Sequence, residues 1–373
     1  MSKKNLILGT VIIILVVIIG GISITKNNHK ESFKIGFFGP ITGALGVSTG
    51  ESIFQAFQLA NEQRPSIDGR KVEVVYEDDV CDPKKAVAAA QKLITIDKVD
   101  AIVSSLCSGP VFSTAKLADE NKIVMLSPGA AAPSITTAGD YVFRLSASSV
   151  TGGKAAAKII EKDNYKKIGI IVENNEYPIG WKDSFVKEMS AKTDVKIFAE
   201  TAALASIDVR SQILKIVAQK PDVIFVHTLT PTMANALLNQ LHELNVKIPI
   251  IANEVFSLQS VIHNPNAEGV MITVYKYSNN SPEFAKFLAD YKARFKKDIQ
   301  EDIYGAMAYD AYNLMLDAKL QCGNAGGECI KNFLYNTQNR AGLSGSINID
   351  QNGDSNKEFV LKVVKGGKIT DIQ

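Results

Sequence analysis

Short apolar runs rich in β-branched residues alternate along the chain with longer segments of helical periodicity. The run FKIGFF at 33–38 precedes a helical segment at 51–63, and KVEVVYED then precedes a second one at 83–96. A further series of the same kind begins with KKIGIIV at 166–172. Strands and helices in this order form parallel sheets that helices cover on both faces, with right-handed crossovers. We therefore predict an α/β fold of two doubly wound parallel-sheet lobes.

The N-terminal segment is the most strongly apolar stretch of the sequence. Residues 5–25 contain no charge, and a helix over 6–24 would be about 28 Å long, close to the thickness of a bilayer core. Lys3 and Lys4 precede this stretch, which places the chain that follows it outside the cytoplasm. No A-x-A cleavage pattern follows it. We predict a retained membrane anchor followed by a linker within residues 1–32, with a cleaved signal segment as the alternative.

Composition excludes several classes of function. The chain of 373 residues is 46% apolar and 21% charged, which is typical of a globular protein. Its formal net charge is +2, and its basic residues are interspersed with acidic ones, so no nucleic-acid partner is expected. No phosphate-binding loop, G-x-G-x-x-G or G-x-S-x-G motif occurs. The sequence therefore predicts neither an enzyme nor a bound cofactor.

The cysteines and the C-terminal acidic segment do not predict a metal site. The four cysteines contain no C-x-x-C pair and the four histidines are scattered, so disulfides are favoured over zinc in an exported chain. Asp350, Asn352 and Asp354 have the spacing of calcium ligands. However, Ser355 stands where that loop needs glycine, and Leu361 where it needs glutamate. We interpret this segment as the turn of a hairpin that continues through FVLKVV.

Two loops at the ends of predicted strands carry candidate anion-binding groups, because ligands of open parallel sheets bind at the carboxyl ends of the strands. Ser108 follows the strand DAIVSS and opens a helix. It can cap that helix, or it can seat an anion together with neighbouring N–H groups. Gly129, Ala130 and Ala131 follow IVMLS as a run of small residues, which allows close approach of a ligand or is simply a flexible loop.

Two further loops carry candidate residues for the rest of a ligand. Glu254 follows the predicted strand IPIIA, where a carboxylate suits an ammonium group, although an exposed loop charge is the alternative. Tyr177 lies at a strand-to-helix turn, where it can form a wall of a site or pack beneath the loop.

Several segments in order along the chain carry a family resemblance. They are IGFFGPITG, EDDVCDPKKAVAAAQKLI, AIVSSLCSGPVFSTAKLADENKIVMLSPGA, ANEVF and GLSGSINIDQNGD. From residue 33 to its end the chain resembles the branched-chain amino-acid (Leu/Ile/Val-type) substrate-binding proteins of ABC importers. The resemblance implies a type I periplasmic-binding fold, with 33–147 and 277–359 in lobe 1 and 148–276 and 360–373 in lobe 2. A three-strand hinge would join the two lobes.

The resemblance also assigns pairings and roles. It implies a disulfide between Cys81 and Cys107, and with export it favours a second one between Cys322 and Cys329. Ser108 and the backbone of 130–131 would bind a ligand α-carboxylate. The implied partners of the α-ammonium are a carbonyl of the Gly129–Ala130 region and the side chain of Glu254, and the implied residue that closes over the ligand is Tyr177.

The chain departs from the family pattern where the ligand side chain would lie. Ala131 stands where the family often has threonine, Ser48 lies near the place of an aromatic residue, and Leu229 and Thr230 replace paired tyrosines. Branched aliphatic, small polar and amide-like ligands therefore all remain open.

These observations predict an extracytoplasmic monomer that captures an amino acid or related zwitterion between closing lobes. It would deliver the ligand to the permease subunits of an ABC importer. The alternative is a membrane-anchored ligand-sensing receptor ectodomain with the same fold and no transport role. A transcription repressor of this fold would need a helix-turn-helix where the apolar N-terminal stretch stands, and an extracellular hydrolase would need a nucleophile.

Overall fold

The computed structural model describes residues 32–190 and 192–372, and these residues form two large β-sheets. The chain builds the first sheet, then most of the second, and returns to the second sheet for its last two strands. Before that return, residues 282–322 pack on the core of the first sheet. The described chain therefore passes three times between the two halves of the fold. This arrangement confirms the predicted α/β class with two parallel-sheet lobes.

The first sheet has the strand order β2-β3-β1-β4-β5-β6 and is parallel except for β2. Its central strand is buried along almost its whole length, as a parallel strand covered on both faces should be. Ile35 of that strand lies beside Val74 on one neighbour and Ala101 on the other. The strands are β1 Phe33–Gly39, β2 Ser66–Ile67, β3 Arg70–Asp78, β4 Ala101–Val103, β5 Met125–Ser127 and β6 Val142–Arg144.

The second sheet has the order β15-β14-β11-β10-β9-β7-β8, with a parallel body and two antiparallel strands at one edge. Successive residues of its strands face two separate hydrophobic clusters. Ile171 and Ile224 contribute to one cluster, and Ile170 and Phe225 to the other. The strands are β7 Lys167–Glu173, β8 Lys196–Ala202, β9 Val223–His227, β10 Ile250–Ala252, β11 Met271–Tyr275, β14 Phe359–Lys365 and β15 Lys368–Asp371. A small separate hairpin consists of β12 Arg340–Gly342 and β13 Gly345–Ile347.

Helices cover both sheets and start where local chemistry favours them. Asp82, for example, caps the helix that begins at Pro83 by accepting hydrogen bonds from the N–H groups of Lys84 and Lys85. The helices are α1 Gly43–Gly46, α2 Thr49–Gln63, α3 Pro83–Thr95, α4 Ser108–Asn121, α5 Ser149–Lys162, α6 Glu176–Met189, α7 Arg210–Val217, α8 Pro231–Glu243, α9 Gln259–Ile262, α10 Pro282–Phe295, α11 Asp302–Cys322 and α12 Gly326–Tyr335. Short 3-10 turns occupy Pro133–Thr137, Glu254–Ser257 and Pro265–Ala267.

The predicted C-terminal hairpin is only partly correct. The turn exists, since Ile349 and Ser355 form a bridge around it and Gly353 has the positive φ of 78° that such a turn requires. The segment FVLKVV does not return along this hairpin. It forms β14, which pairs with β11 and β15 in the second sheet. The physical reason is that β11 offers five pairing positions to this segment, whereas the strand before the turn, β13, has only three residues.

The N-terminal segment predicted to be a membrane anchor or signal lies outside the described residues, which begin at residue 32. Within the described ranges, no helix combines the length and the hydropathy needed to cross a bilayer. The lobe limits 33–147 with 277–359 and 148–276 with 360–373 stay a prediction.

Both predicted disulfides are present, Cys81–Cys107 and Cys322–Cys329. They close loops with sequence separations of 26 and 7 residues. Replacing Cys81 and Cys107 together by alanine is expected to lower the free energy of unfolding by about 3 kcal/mol, because the unfolded chain regains the entropy of the longer loop. Urea unfolding measures the loss. The double replacement of Cys322 and Cys329 is the matched control and should cost less, since its loop is shorter.

Recovery of free thiols at Cys81 and Cys107 from natively exported protein, by peptide mapping without reduction, would contradict the pairing.

Candidate ligand-binding site

Loops at the carboxyl ends of strands from both sheets meet around one enclosed cavity of about 30 Å³. This volume accommodates a few water molecules at most, whereas pockets for small molecules usually measure about 300 Å³ or more. The side chains around this cavity therefore leave no room for a molecule of amino-acid size. The cavity is lined by Leu45, Thr49, Leu106, Ser108, Gly129, Ala131, Tyr177, Leu229, Glu254, Val255, Leu258 and Tyr304.

Ser108 does not cap its helix, contrary to the simpler sequence interpretation. Cys107 occupies the capping position without a side-chain hydrogen bond, and Ser108 is the first residue of α4. The Ser108 Oγ instead accepts a hydrogen bond of 3.0 Å from the N–H of Ala132. Because a hydroxyl that accepts one bond still has its own proton to donate, Ser108 can offer an O–H to a group in the cavity.

The small-residue loop 129–132 follows a path set by internal contacts. Ser127 Oγ accepts hydrogen bonds from the N–H groups of Gly129 and Ala130, at 3.3 and 2.9 Å. A Cβ at Gly129 would lie 2.8 Å from the Leu106 Cβ, so close packing against that side chain requires glycine here. The N–H of Ala131, in contrast, has no acceptor within the described ranges and belongs to a residue that lines the cavity.

Arg144 holds this loop from behind, and sequence reasoning did not identify it. Its side chain is fully buried, and Nη1 donates to the carbonyl oxygen of Ala132 at 2.8 Å and to that of Ala130 at 3.5 Å. Its Nη2 donates to Asp354 Oδ2 and to Thr136 Oγ1, both at 2.7 Å. Asp354 comes from the C-terminal turn, so that turn supports the candidate carboxylate-binding loop.

Glu254 and Tyr177 meet in the interior. The Tyr177 hydroxyl lies 2.7 and 2.8 Å from the two carboxylate oxygens of Glu254, and the Tyr304 hydroxyl lies 3.4 Å from one of them. Glu254 is only 5% exposed, so the alternative of an exposed loop charge is wrong. No cation of the described chain contacts it. Burial raises the pKa of Glu254 to about 7, although the Tyr177 and Tyr304 hydroxyl groups act in the opposite direction.

The surroundings of Tyr177 add no positive charge. The His227 ring packs against Tyr177 and Trp181 with centroid distances of 4.7 Å to each. Burial lowers the pKa of His227 to about 3, so the ring is neutral at physiological pH. The same burial, with the neighbouring Glu254 carboxylate, raises the pKa of Tyr177 well above its ordinary value. In the cluster of Tyr177, His227 and Glu254, the only group that can carry a charge near neutral pH is therefore the Glu254 carboxylate.

Glu173 positions the loop of the second lobe that carries Leu229. Its buried carboxylate accepts hydrogen bonds from the N–H groups of Leu229 and Thr230, at 2.6 and 2.9 Å, and from the N–H of Ala205 at 2.6 Å. The Thr230 hydroxyl adds a bond of 2.7 Å. Because four donors occupy its two oxygens, Glu173 organises this loop.

Five of the other lining residues follow the carboxyl ends of strands, where ligands of open sheets bind. They are Leu45, Thr49, Leu106, Leu229 and Val255. Ser48 does not line the cavity, and its hydroxyl donates to the Leu45 carbonyl at 3.3 Å. Leu258 and Tyr304 do line it, but Tyr304 stands near the start of α11, inside an apolar helical pattern that gives no signal for a site.

Comparisons with known proteins agree with this architecture. A family model described as periplasmic binding protein matches residues 32–367. The Leu/Ile/Val-binding protein of Escherichia coli is 24% identical over 332 residues, which cover 87% of this chain and 88% of that protein. An amino acid binding protein of Pseudomonas aeruginosa is 29% identical over 214 residues, and this alignment spans only 56% of this chain and 57% of that protein.

Among solved structures, the leucine binding protein LivK from Thermotoga maritima aligns with a TM-score of 0.82 and 26% identity, over 91% of this chain and 98% of that one. The chain belongs to the periplasmic binding protein family, whose members are solute-binding proteins rather than enzymes, and its resemblance to the branched-chain amino-acid-binding members is confirmed.

Proposed function

We propose that this protein captures an amino acid or related zwitterion between its two lobes outside the cytoplasm and delivers it to the permease subunits of an ABC importer. The observation that carries the proposal is the Glu254 carboxylate, which is buried against the cavity with hydroxyl partners and, among the described residues, no cation. A carboxylate in this position is stabilised by an ammonium group. The Ser108 hydroxyl and the Ala131 N–H, at the same cavity, supply donors for an α-carboxylate.

The remaining wall favours an apolar ligand side chain. Five aliphatic side chains line the cavity. In the loops of the second lobe, Tyr177 and Glu254 are the polar lining residues. Burying an aliphatic ligand against such a wall gains about 25 cal/mol per Å² of apolar surface, whereas an amide or hydroxyl would need a partner there. The aliphatic residues are Leu45, Leu106, Leu229, Val255 and Leu258. The names of the Escherichia coli and Thermotoga maritima relatives support the same ligand class.

A thermal-shift screen of the purified protein against amino acids tests the proposal. A ligand at 100 times its dissociation constant adds about 2.7 kcal/mol of stability, enough for a clear rise of the midpoint. Leucine, isoleucine and valine are the first candidates. Two truncated forms of leucine are the controls, since 4-methylpentanoate lacks the ammonium and 3-methylbutylamine lacks the carboxylate. If no zwitterion raises the midpoint, or if 4-methylpentanoate matches leucine, the amino-acid proposal is wrong.

Amino-acid affinity is expected to fall as the pH drops below about 7. Burial raises the pKa of Glu254 to about 7, and a ligand ammonium needs this carboxylate ionised, so binding at lower pH must release a proton. One linked proton weakens affinity by up to about tenfold per pH unit below the pKa. The tyrosine hydroxyls around Glu254 stay protonated throughout. Calorimetry from pH 5.5 to 8.5 measures the effect.

The stability of the protein without amino acid should change with pH in the opposite direction, rising as the pH falls. Since the raised pKa favours protonated Glu254 in the folded chain, its contribution to the free energy of unfolding is fully present below about pH 4.5 and is lost as the pH rises through 7. Affinity that stays constant between pH 6 and 8 would contradict the assignment of Glu254 to the ammonium.

A further inference from the structure

A second, larger cavity of about 720 Å³ lies beside the enclosed one and shares Glu254 and Tyr304 with it. We refer to it as the hinge-side groove. Its walls come from the second sheet, through Val274 and Lys362, and from the segment before α11 that packs on the first lobe. None of the groups assigned to an α-carboxylate, Ser108 or Ala131, lines it. The groove is therefore a different environment from the proposed amino-acid site.

Glu301 lines the groove with an unpaired carboxylate. The residue is 8% exposed and stands at the capping position of α11, but its side chain makes no capping hydrogen bond there. Its backbone N–H donates to Ser52 Oγ at 3.2 Å, and its carbonyl oxygen accepts from the N–H of Gly305 at 3.0 Å. Across the described part of the chain, no donor or cation contacts the carboxylate. Burial, together with the nearby Asp302 and Glu254 carboxylates, raises the pKa of Glu301 well above its ordinary value.

The groups around Glu301 would suit a positively charged organic ligand. Tyr275 and Tyr277 line the groove, and aromatic faces attract ammonium groups. The Tyr277 hydroxyl donates to Asp302 Oδ1 at 2.6 Å, which holds that ring in place. The Tyr275 hydroxyl is buried and has no partner within residues 32–190 and 192–372. Lys362, the basic residue of the lining, is engaged with Asp371.

We propose that the hinge-side groove is a second binding site, which takes a small organic ammonium ion with Glu301 as its counter-ion and tyrosine faces as its walls. An inorganic metal ion fits less well, because the described residues contain no group of three acidic, histidine or cysteine side chains arranged to hold a metal. Since elements of both lobes line the groove, a bound cation contacts both of them. The proposal does not rest on the amino-acid assignment, although the groove shares Glu254 and Tyr304 with the first cavity.

Titration of the purified protein with tetramethylammonium chloride and with ethylammonium chloride tests the site, by ligand-observed NMR or calorimetry. Wild type should bind both saturably. Glu301→Gln, which keeps the shape and removes the charge, should weaken binding by at least about tenfold, the value of one charge-assisted contact. Glu120→Gln, on the exposed surface of α4, is the matched control and should bind as wild type does. Tyr277→Leu should weaken tetramethylammonium binding severalfold, because it removes an aromatic face.

Leucine binding by the same variants separates this proposal from the previous one, since Glu301→Gln keeps Glu254, Ser108 and Ala131 and should retain leucine binding, whereas Glu254→Ala should lose it. The ammonium site is refuted if wild type shows no saturable binding up to about 50 mM of either ion. It is equally refuted if Glu301→Gln, with an unchanged thermal midpoint, binds as tightly as wild type. Tighter binding of sodium or magnesium than of either ammonium ion would overturn the organic class of the ligand.

Discussion

Replacing Glu254 by alanine is expected to weaken amino-acid binding by about 2 to 5 kcal/mol, or roughly 30-fold to several-thousand-fold. The reason is that the ligand ammonium would then be enclosed without its counter-charge, beside the Tyr177 and Tyr304 hydroxyls that now have no carboxylate to bond. Glu254→Gln should show a loss of similar order, since it preserves the shape and not the charge. Calorimetry with the zwitterion that the thermal-shift screen identifies measures all variants.

Two comparisons make this result specific. Ser108→Ala should cost less, about 1 to 3 kcal/mol, because the Ala131 N–H would still bind the carboxylate. Glu188→Gln changes an exposed glutamate of α6 and should change affinity by less than about 1 kcal/mol. Unchanged affinity in both Glu254 variants would place the ammonium site elsewhere or show that the ligand is not an amino acid.

The second large effect is expected in stability, from Arg144→Met. This change leaves the Asp354 carboxylate, which is mostly buried, without its cation and removes one hydrogen bond each from the carbonyl oxygens of Ala130 and Ala132. Removing one partner of a buried ion pair typically costs about 3 to 5 kcal/mol. Urea unfolding should show this loss, and amino-acid affinity should fall with it because the loop 130–132 is no longer held.

The double variant Arg144→Met with Asp354→Asn is the control, and it should recover part of the stability because no unpaired charge remains. Arg144→Lys should lie between wild type and Arg144→Met, since an ammonium cannot reproduce the forked contacts of the guanidinium. A loss of less than about 1 kcal/mol for Arg144→Met would show that the pair is not what holds the loop.

Much of the fold follows from local sequence. The alternation of apolar runs with helical segments predicts two doubly wound sheets, because the periods of strand and helix are properties of a few neighbouring residues. The same reasoning places Ser108 and Glu254 at the ends of strands, where ligands bind in open sheets. Their chemical roles needed the family resemblance as well, since a serine or a glutamate at a strand end is equally compatible with a cap or an exposed loop charge.

Other features depend on contacts between distant parts of the chain, which no local period encodes. Arg144 and Asp354 are 210 positions apart. Only folding places Arg144 behind the loop 130–132 and brings Asp354 into contact with Arg144. The segment Phe359–Lys365 has a strand pattern, but the sequence does not say which strand it joins, and its pairing with β11 is a contact made only in the folded chain.

The burial of charged side chains shows most clearly what only the tertiary structure decides. Glu254 and Glu301 look alike in the sequence, each an acidic residue near the boundary of an element. Their chemistry differs because tertiary packing surrounds Glu254 with tyrosine hydroxyls and leaves Glu301 without a partner in the described structure. The sequence by itself determined the two lobes, the strand-end loops and the residue types available there. Tertiary structure decided which carboxylates lose their water, because desolvation depends on every element that packs around a group and not on its neighbours along the chain.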